Sequence, residues 1–136
     1  MTYHILIDIY VIYFSHRGDF QYKDVKIPAD RMLHNVGQFI PKGQLLFIAT
    51  DERNKSFFDP FLARFPKIHY LDDFMDFADL RDINPNFLGM IDQVICTRGE
   101  IFVGTWFSTF TGYITRMRAY LGYSDKSTFF GDMAHR

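Results

Sequence analysis

Short apolar strand segments alternate with helical segments along the whole chain. The first strand is predicted at 5–14 (ILIDIYVIYF), and its Ile, Val and Tyr residues are typical of a strand buried on both faces. The other predicted strands lie at 45–49, 68–71 and 101–103, and the predicted helices lie at about 28–36, 56–65, 72–80, 87–95 and 108–121. This alternation predicts an α/β fold, with a parallel sheet covered by helices on both faces.

The chain is short enough for one domain, and its composition narrows the functional classes. No repeat, low-complexity tract or linker divides its 136 residues, so we expect one domain over 1–136, with 1–15 as an atypical leading strand and 122–136 as an irregular tail. The formal net charge of −1 argues against nucleic-acid binding. Asp8 and the lack of preceding basic residues argue against a targeting segment at the N-terminus. The single cysteine, Cys96, is expected to pack in a helix.

Ligands of open parallel sheets bind beyond the carboxyl ends of the strands. Four segments are predicted at that edge, namely 15–23, 50–52, 71–73 and 104–109.

The segment 104–110 (GTWFSTF) joins a buried strand to a helix start that carries two hydroxyl residues. Free N–H groups and the positive end of the helix dipole would point at one spot, and Ser108 and Thr109 could add hydroxyl donors. This arrangement predicts an anion site. The alternative is that Ser108 only caps the helix, and the two roles are compatible.

The segment 16–19 (HRGD) follows the first strand at the same edge. Arg17 is suited to bidentate binding of phosphate oxygens, and Asp19 could orient Arg17 or a sugar hydroxyl. The alternative is a surface turn with a local salt bridge.

Asp92 lies off the apolar stripe of its predicted helix (Phe87, Met90, Ile91, Val94 and Ile95). Its carboxylate could accept hydrogen bonds from N1–H and the exocyclic amine of guanine, and the alternative is a solvated surface residue. The five histidines show no metal-ligand spacing, so no metal site is predicted.

Several of these segments, in this order, resemble the GDP-fucose protein O-fucosyltransferase-like family. The matching segments are 17–23 (RGDFQYK), 27–31 (IPADR), 49–52 (ATDE), 90–96 (MIDQVIC) and 102–114 (FVGTWFSTFTGYI). The resemblance covers roughly residues 16 to 122. It implies the Rossmann-like, three-layer, C-terminal half of a GT-B glycosyltransferase that is inverting and metal-independent, with GDP-fucose as donor, a protein or glycan hydroxyl as acceptor and no cofactor.

The resemblance also implies roles for individual residues. Asp92 matches the guanine-binding acid of the family. Ser108, Thr109 and Phe110 match the segment at the nucleotide phosphates. Arg17 would be the catalytic residue that holds the leaving diphosphate, with His16 and Asp19 beside it.

Two features depart from the family pattern. The family has His-x-Arg-Arg before Gly-Asp, and its first Arg contacts the leaving diphosphate. Without a gap, Phe14 replaces the family His and His16 replaces that Arg, so only Arg17 remains. A two-residue gap would instead align His16 with the family His and would still lose one Arg. The N-terminal half, which would bind the acceptor, is not in this chain. An inactive fragment or paralogue that binds GDP or a partner chain is therefore an alternative, as is another nucleotide-sugar transferase. The family implies the lumen of the endoplasmic reticulum or Golgi, and exposed apolar surface is expected where the missing domain would pack.

Overall fold

A computed structural model describes residues 10–14, 28–105 and 108–130, and they form one five-stranded parallel sheet. The strands are β1 (Tyr10–Phe14), β2 (Leu46–Thr50), β3 (Ile68–His69), β4 (Ile101–Gly104) and β5 (Thr128–Phe130). Their order across the sheet is β3-β2-β1-β4-β5, and each neighbouring pair is parallel. The predicted parallel α/β fold is therefore confirmed. The chain runs outward from β1 to β2 and β3, and then crosses back to β4, so the strand order reverses direction between β1 and β4.

Within the described ranges, three α-helices and a set of 3-10 helices connect the strands. The α-helices are α1 (Ala29–Val36), α2 (Leu88–Thr97) and α3 (Thr109–Tyr120). The 3-10 helices are Lys55–Ala63, Leu71–Phe74, Pro85–Phe87 and Asp125–Ser127. The predicted helix at 56–65 is thus a 3-10 helix. It is capped by Asn54, whose Oδ1 accepts from Ser56 N at 3.2 Å.

One layer of helices covers the first face of the sheet. Ile12 and Ile48 pack there with Met32 of α1 and with Phe58 and Phe61 of the 3-10 helix that follows β2. All five side chains are almost completely buried. Because side chains of a strand alternate between the two faces, the residues next to Ile12 and Ile48 belong to the other layer.

The opposite face carries α2 and α3. Val11, Phe47 and Phe102 of the sheet pack against Cys96 of α2 and Ile114 of α3. Cys96 is fully buried, and burial raises the pKa of its thiol, as a packing role predicts. The two clusters together give a three-layer arrangement in which β1 and β2 are the buried centre.

The predicted apolar face of α2 is only partly buried. Ile91 and Ile95 pack against the core, but Phe87, Met90 and Val94 are 53%, 58% and 56% exposed. Apolar periodicity indicates which side of a helix is hydrophobic, but it does not show whether another element covers that side.

One expectation for the C-terminal part of the chain was wrong, because 122–136 contains a strand that a buried arginine contacts. Arg118 of α3 is 1% exposed. The Arg118 guanidinium donates to the carbonyls of Thr97 and Gly99, at 3.2 and 2.5 Å, and to the Ser127 hydroxyl at 2.8 Å. These hydrogen bonds hold β5 in place, although this edge strand lies within the tail 122–136 that was expected to be irregular.

Candidate functional site

A cavity of about 470 Å³ opens at the carboxyl edge of the sheet. Its walls come from the ends of β2 and β3, from the segments that follow them, and from α2 and α3. The lining residues are Ile48, Thr50, Asp51, Lys55, Tyr70, Leu71, Asp72, Leu88, Gly89, Asp92 and Phe110. Two of the four segments predicted at this edge, 50–52 and 71–73, therefore contribute to one site.

Asp92 projects from α2 into this cavity. Its Oδ1 atom is buried and accepts no hydrogen bond from the part of the chain that the structure describes. Burial, with a smaller contribution from the charge of Asp72, raises the pKa of the Asp92 carboxyl to about 7, although Lys55 acts in the opposite direction. A buried carboxylate without donors is unfavourable, so a ligand that supplies N–H groups would stabilise its charged form.

Lys55 is held at the mouth of the cavity by two groups that follow β3. Its Nζ atom lies 3.4 Å from Asp72 Oδ2 and 4.4 Å from the centroid of the Tyr70 ring. Burial, with the charges of Asp73 and Asp59, raises the pKa of Tyr70 to about 12, so this phenol remains protonated at neutral pH. The cavity lining thus contains one ammonium group together with the carboxyl groups of Asp51, Asp72 and Asp92.

The turn after β2 determines where Lys55 lies. Thr50 Oγ1 accepts from Glu52 N at 3.0 Å, Glu52 Oε1 accepts from Asn54 N at 2.9 Å, and Asn54 then caps the 3-10 helix. Side chains that accept from the backbone two residues ahead fold the chain locally into turns. Lys55 is therefore the first residue of a capped helix and not part of an unconstrained loop.

The α2 and α3 helices approach each other closely beside Asp92. A Cβ atom on Gly89 would lie 3.9 Å from Phe110 Cε2, so the Phe110 ring reaches the backbone of α2 and lines the cavity next to Asp92. A planar aromatic group in this position could contact the flat face of a base.

The start of α3 has the cap that the sequence predicts. Ser108 Oγ accepts from Thr111 N at 3.4 Å, and the Thr109 side chain is exposed. Gly104 at the end of β4 permits this packing, because a Cβ atom there would lie 2.5 Å from Thr111 Cγ2. The cap leaves the anion-site prediction open, since Ser108 can cap the helix while other N–H groups bind a ligand.

The structure unites some of the predicted site residues and does not describe others. Asp92 and Phe110 line one cavity, and Ser108 and Thr109 immediately precede Phe110 at the start of α3. His16, Arg17 and Asp19 lie in 15–27, outside the described residues, as do residues 106–107.

Sequence reasoning missed Lys55 and Tyr70. Tyr70 was assigned to a strand, although it follows β3 directly and therefore lies at the carboxyl edge. Asp72 lies in the segment 71–73 predicted at this edge, and it lines the cavity. The one available signal was position, since Lys55 comes after the predicted strand 45–49 and Asp72 comes directly after the predicted strand 68–71.

Across 10–14, 28–105 and 108–130, no three His, Cys, Asp or Glu side chains are grouped as a metal ion requires. None of the helices in those ranges is both long and apolar enough to span a bilayer.

Comparison with known proteins agrees with this architecture. The family model for GDP-fucose protein O-fucosyltransferase matches residues 15–121. A GDP-fucose protein O-fucosyltransferase 2 from Drosophila melanogaster is 28% identical over 119 residues, which are 83% of this chain and 24% of that protein. A protein of the same name from Plasmodium vivax (strain Salvador I) is 31% identical over 86 residues, 62% of this chain and 17% of that protein. The chain thus spans a quarter or less of either relative, and by its sequence it belongs to the GDP-fucose protein O-fucosyltransferase family.

Proposed function

We propose that this chain is the donor-binding part of an O-fucosyltransferase and that its cavity receives the guanine of GDP-fucose. The observation that carries the proposal is the buried Asp92 Oδ1, which has no hydrogen-bond donor in the described protein. Guanine offers two parallel N–H donors, from N1 and from the exocyclic amine, that match the two oxygens of a carboxylate. Phe110 would contact the face of the base.

The diphosphate would bind where the strand order reverses, between β1 and β4. The N-terminus of α3, with Ser108 and Thr109, follows β4, and the segment that contains His16, Arg17 and Asp19 follows β1. A helix N-terminus and an arginine both favour phosphate oxygens. We assign the diphosphate to this pair of segments, with Arg17 as the catalytic cation.

The reaction would be a direct displacement at fucose C1. The acceptor hydroxyl oxygen forms a bond to C1, the bond from C1 to the β-phosphate oxygen breaks, and its electron pair leaves with GDP. The hydroxyl proton passes to a base outside this chain. Attack opposite to the leaving group inverts C1, and cations and N–H groups at the β-phosphate stabilise the developing charge without a metal ion.

The exposed apolar side of α2 is suited to pack against a partner of this chain. Ile83, Phe87, Met90, Ile91 and Val94 line a groove with no polar lining atoms. We propose that the remaining part of an O-fucosyltransferase packs here and supplies the acceptor site, and that the assembled enzyme works in the lumen of the endoplasmic reticulum or Golgi, on a protein or glycan acceptor.

Nucleotide selectivity tests the donor assignment. GDP should displace a fluorescent GDP analogue from the chain at concentrations where UDP and ADP do not, because neither base offers two adjacent N–H donors. Equal displacement by UDP would contradict the guanine assignment.

A non-catalytic GDP-binding role is the second candidate. Aligned without a gap, Phe14 and His16 replace the family His and Arg, and a two-residue gap still loses one Arg, so the altered arginine motif favours this role. Adding the N-terminal part of a relative in trans, with GDP-fucose, EDTA and an acceptor, separates the two. Transfer of fucose supports the enzyme, whereas GDP binding without transfer supports the non-catalytic role.

A further inference from the structure

The elements around the cavity follow strands on both sides of the central strand β1. The start of α3 follows β4, on one side of the central strand β1. Lys55 follows β2 and Asp72 follows β3, which lie on the other side of β1. A nucleotide whose diphosphate binds near the reversal of strand order would therefore direct its base toward Lys55 and Asp72. Lys55 is then at the base end of the cavity, away from the diphosphate.

The guanine edge carries a third polar group beside its two N–H donors. This group is O6, a hydrogen-bond acceptor adjacent to N1–H. Asp92 can satisfy both donors, but a carboxylate repels O6 and leaves it without a donor. Lys55 provides the only basic side chain among the described residues that line the cavity. Its ammonium has three N–H donors, more than the contact with Asp72 requires.

We propose that Lys55 donates a hydrogen bond to O6 of guanine and so makes this site selective for a 6-oxopurine nucleotide. The proposal rests on the guanine assignment above and adds a specificity-determining residue to it. Asp92 reads the two N–H donors, and Lys55 reads the acceptor next to them. Adenine, with an amine at position 6 and an acceptor at N1, would oppose both residues.

The contacts of Lys55 are suited to this role. Its side chain is 39% exposed and that of Asp72 is 71% exposed, so their ion pair is weak and Nζ can turn toward a ligand. The Tyr70 ring beneath Nζ keeps the ammonium at the cavity while it does so. Asp72 is a positioning residue and is not expected to contact the base.

Binding of GDP and of 6-thio-GDP to the full chain tests the proposal by calorimetry. Sulfur is a weak acceptor, so the parent chain should bind 6-thio-GDP about tenfold more weakly than GDP. Lys55→Met should bind GDP about tenfold more weakly than the parent and should no longer distinguish the two ligands. Lys42→Met is the matched control, because Lys42 is exposed in the turn before β2, at the opposite edge of the sheet.

The outcomes separate this proposal from the one on which it rests. If Lys55→Met weakens the binding of GDP and of 6-thio-GDP equally, the parent's preference for GDP is kept. Lys55 then contacts another part of the nucleotide, and the proposal is wrong. It is also wrong if Lys55→Met binds GDP as the parent does while Asp92→Asn loses binding, although the guanine assignment then stands. Failure of the folded parent to bind GDP overturns both.

Discussion

The affinity for GDP should rise with pH between 6 and 8, because the raised pKa of Asp92 lies inside that range. Burial is the main cause of the shift to about 7. The carboxylate accepts from guanine N1–H and the exocyclic amine, whereas the protonated acid presents a competing O–H donor. Binding therefore selects the deprotonated form, and lowering the pH through 7 removes that form from the free protein.

The size of the effect follows from the populations. With a pKa of about 7, the carboxylate fraction is about one-eleventh at pH 6 and about ten-elevenths at pH 8. Because apparent affinity scales with the binding-competent fraction, Kd should fall about tenfold between pH 6 and pH 8. This change corresponds to a binding free energy that is more favourable by about 1.4 kcal/mol. The terminal phosphate of GDP also titrates, with a pKa of about 6. Guanosine, which has no phosphate, isolates the contribution of Asp92.

Calorimetry with guanosine and GDP at pH 6, 7 and 8 is the assay, and Asp92→Asn is the control. This variant should bind both ligands more weakly, and its guanosine affinity should not depend on pH. A guanosine Kd that is constant from pH 6 to 8 in the parent chain would refute the reasoning.

The raised pKa of Asp92 also predicts how the stability of the chain depends on pH. An unfolded Asp has a pKa of about 3.9, so the folded chain holds an extra proton between about pH 4 and 7. The free energy of unfolding attributable to Asp92 therefore decreases as pH rises through that window. Asp92→Asn should accordingly have a higher Tm than the parent at pH 8. A lower Tm at pH 8 would contradict the burial argument.

Three further predictions concern the scaffold. Arg118→Met should lower the free energy of unfolding by about 3 kcal/mol, which corresponds to a Tm lower by about 10 °C, because the buried carbonyls of Thr97 and Gly99 lose their donor. Arg116→Met is the control and should have little effect, because Arg116 is exposed. Thermal melts of equal Tm would contradict this. Gly104→Ala should destabilise the chain by about 1–3 kcal/mol and weaken GDP binding, because the added Cβ atom would displace the start of α3. An unchanged Tm and an unchanged Kd for GDP would show that α3 can shift without cost. The exposed apolar side of α2 should make the isolated chain self-associate in sedimentation velocity, and the double variant Met90→Glu and Val94→Lys should reduce this association without changing GDP affinity. Equal self-association of parent and variant would place the contact elsewhere.

The fold could be predicted from the sequence because its strands are unambiguous. Segments such as Leu46–Thr50 are apolar and short, and each is followed by a turn and a helical pattern, which leaves few architectures other than a parallel sheet. β5 was not predictable in the same way. Its three residues, Thr128–Phe130, are held by hydrogen bonds from Arg118 to Ser127 and Thr128, which local propensity does not reveal.

The candidate site was predictable only in part, for a related reason. Asp92 and Phe110 were identified from the motifs around them, and the structure adds that they line one cavity. Lys55 belongs to no motif. Its place depends on the turn capped by Asn54 and on the pairing of β2 with β3, which brings Tyr70 and Asp72 beside it. Contacts between segments distant in sequence decided that part of the site.

The central claim is that the Asp92 cavity binds the guanine of GDP. Isothermal titration of the folded parent chain with GDP at pH 8, beside Asp92→Ala, tests it most directly, with Asp82→Ala as control because Asp82 is exposed and does not line the cavity. We expect GDP to bind to the parent and to Asp82→Ala, and we expect its affinity for Asp92→Ala to be at least tenfold lower. Equal GDP affinity in all three proteins, or no binding by the folded parent, would contradict it.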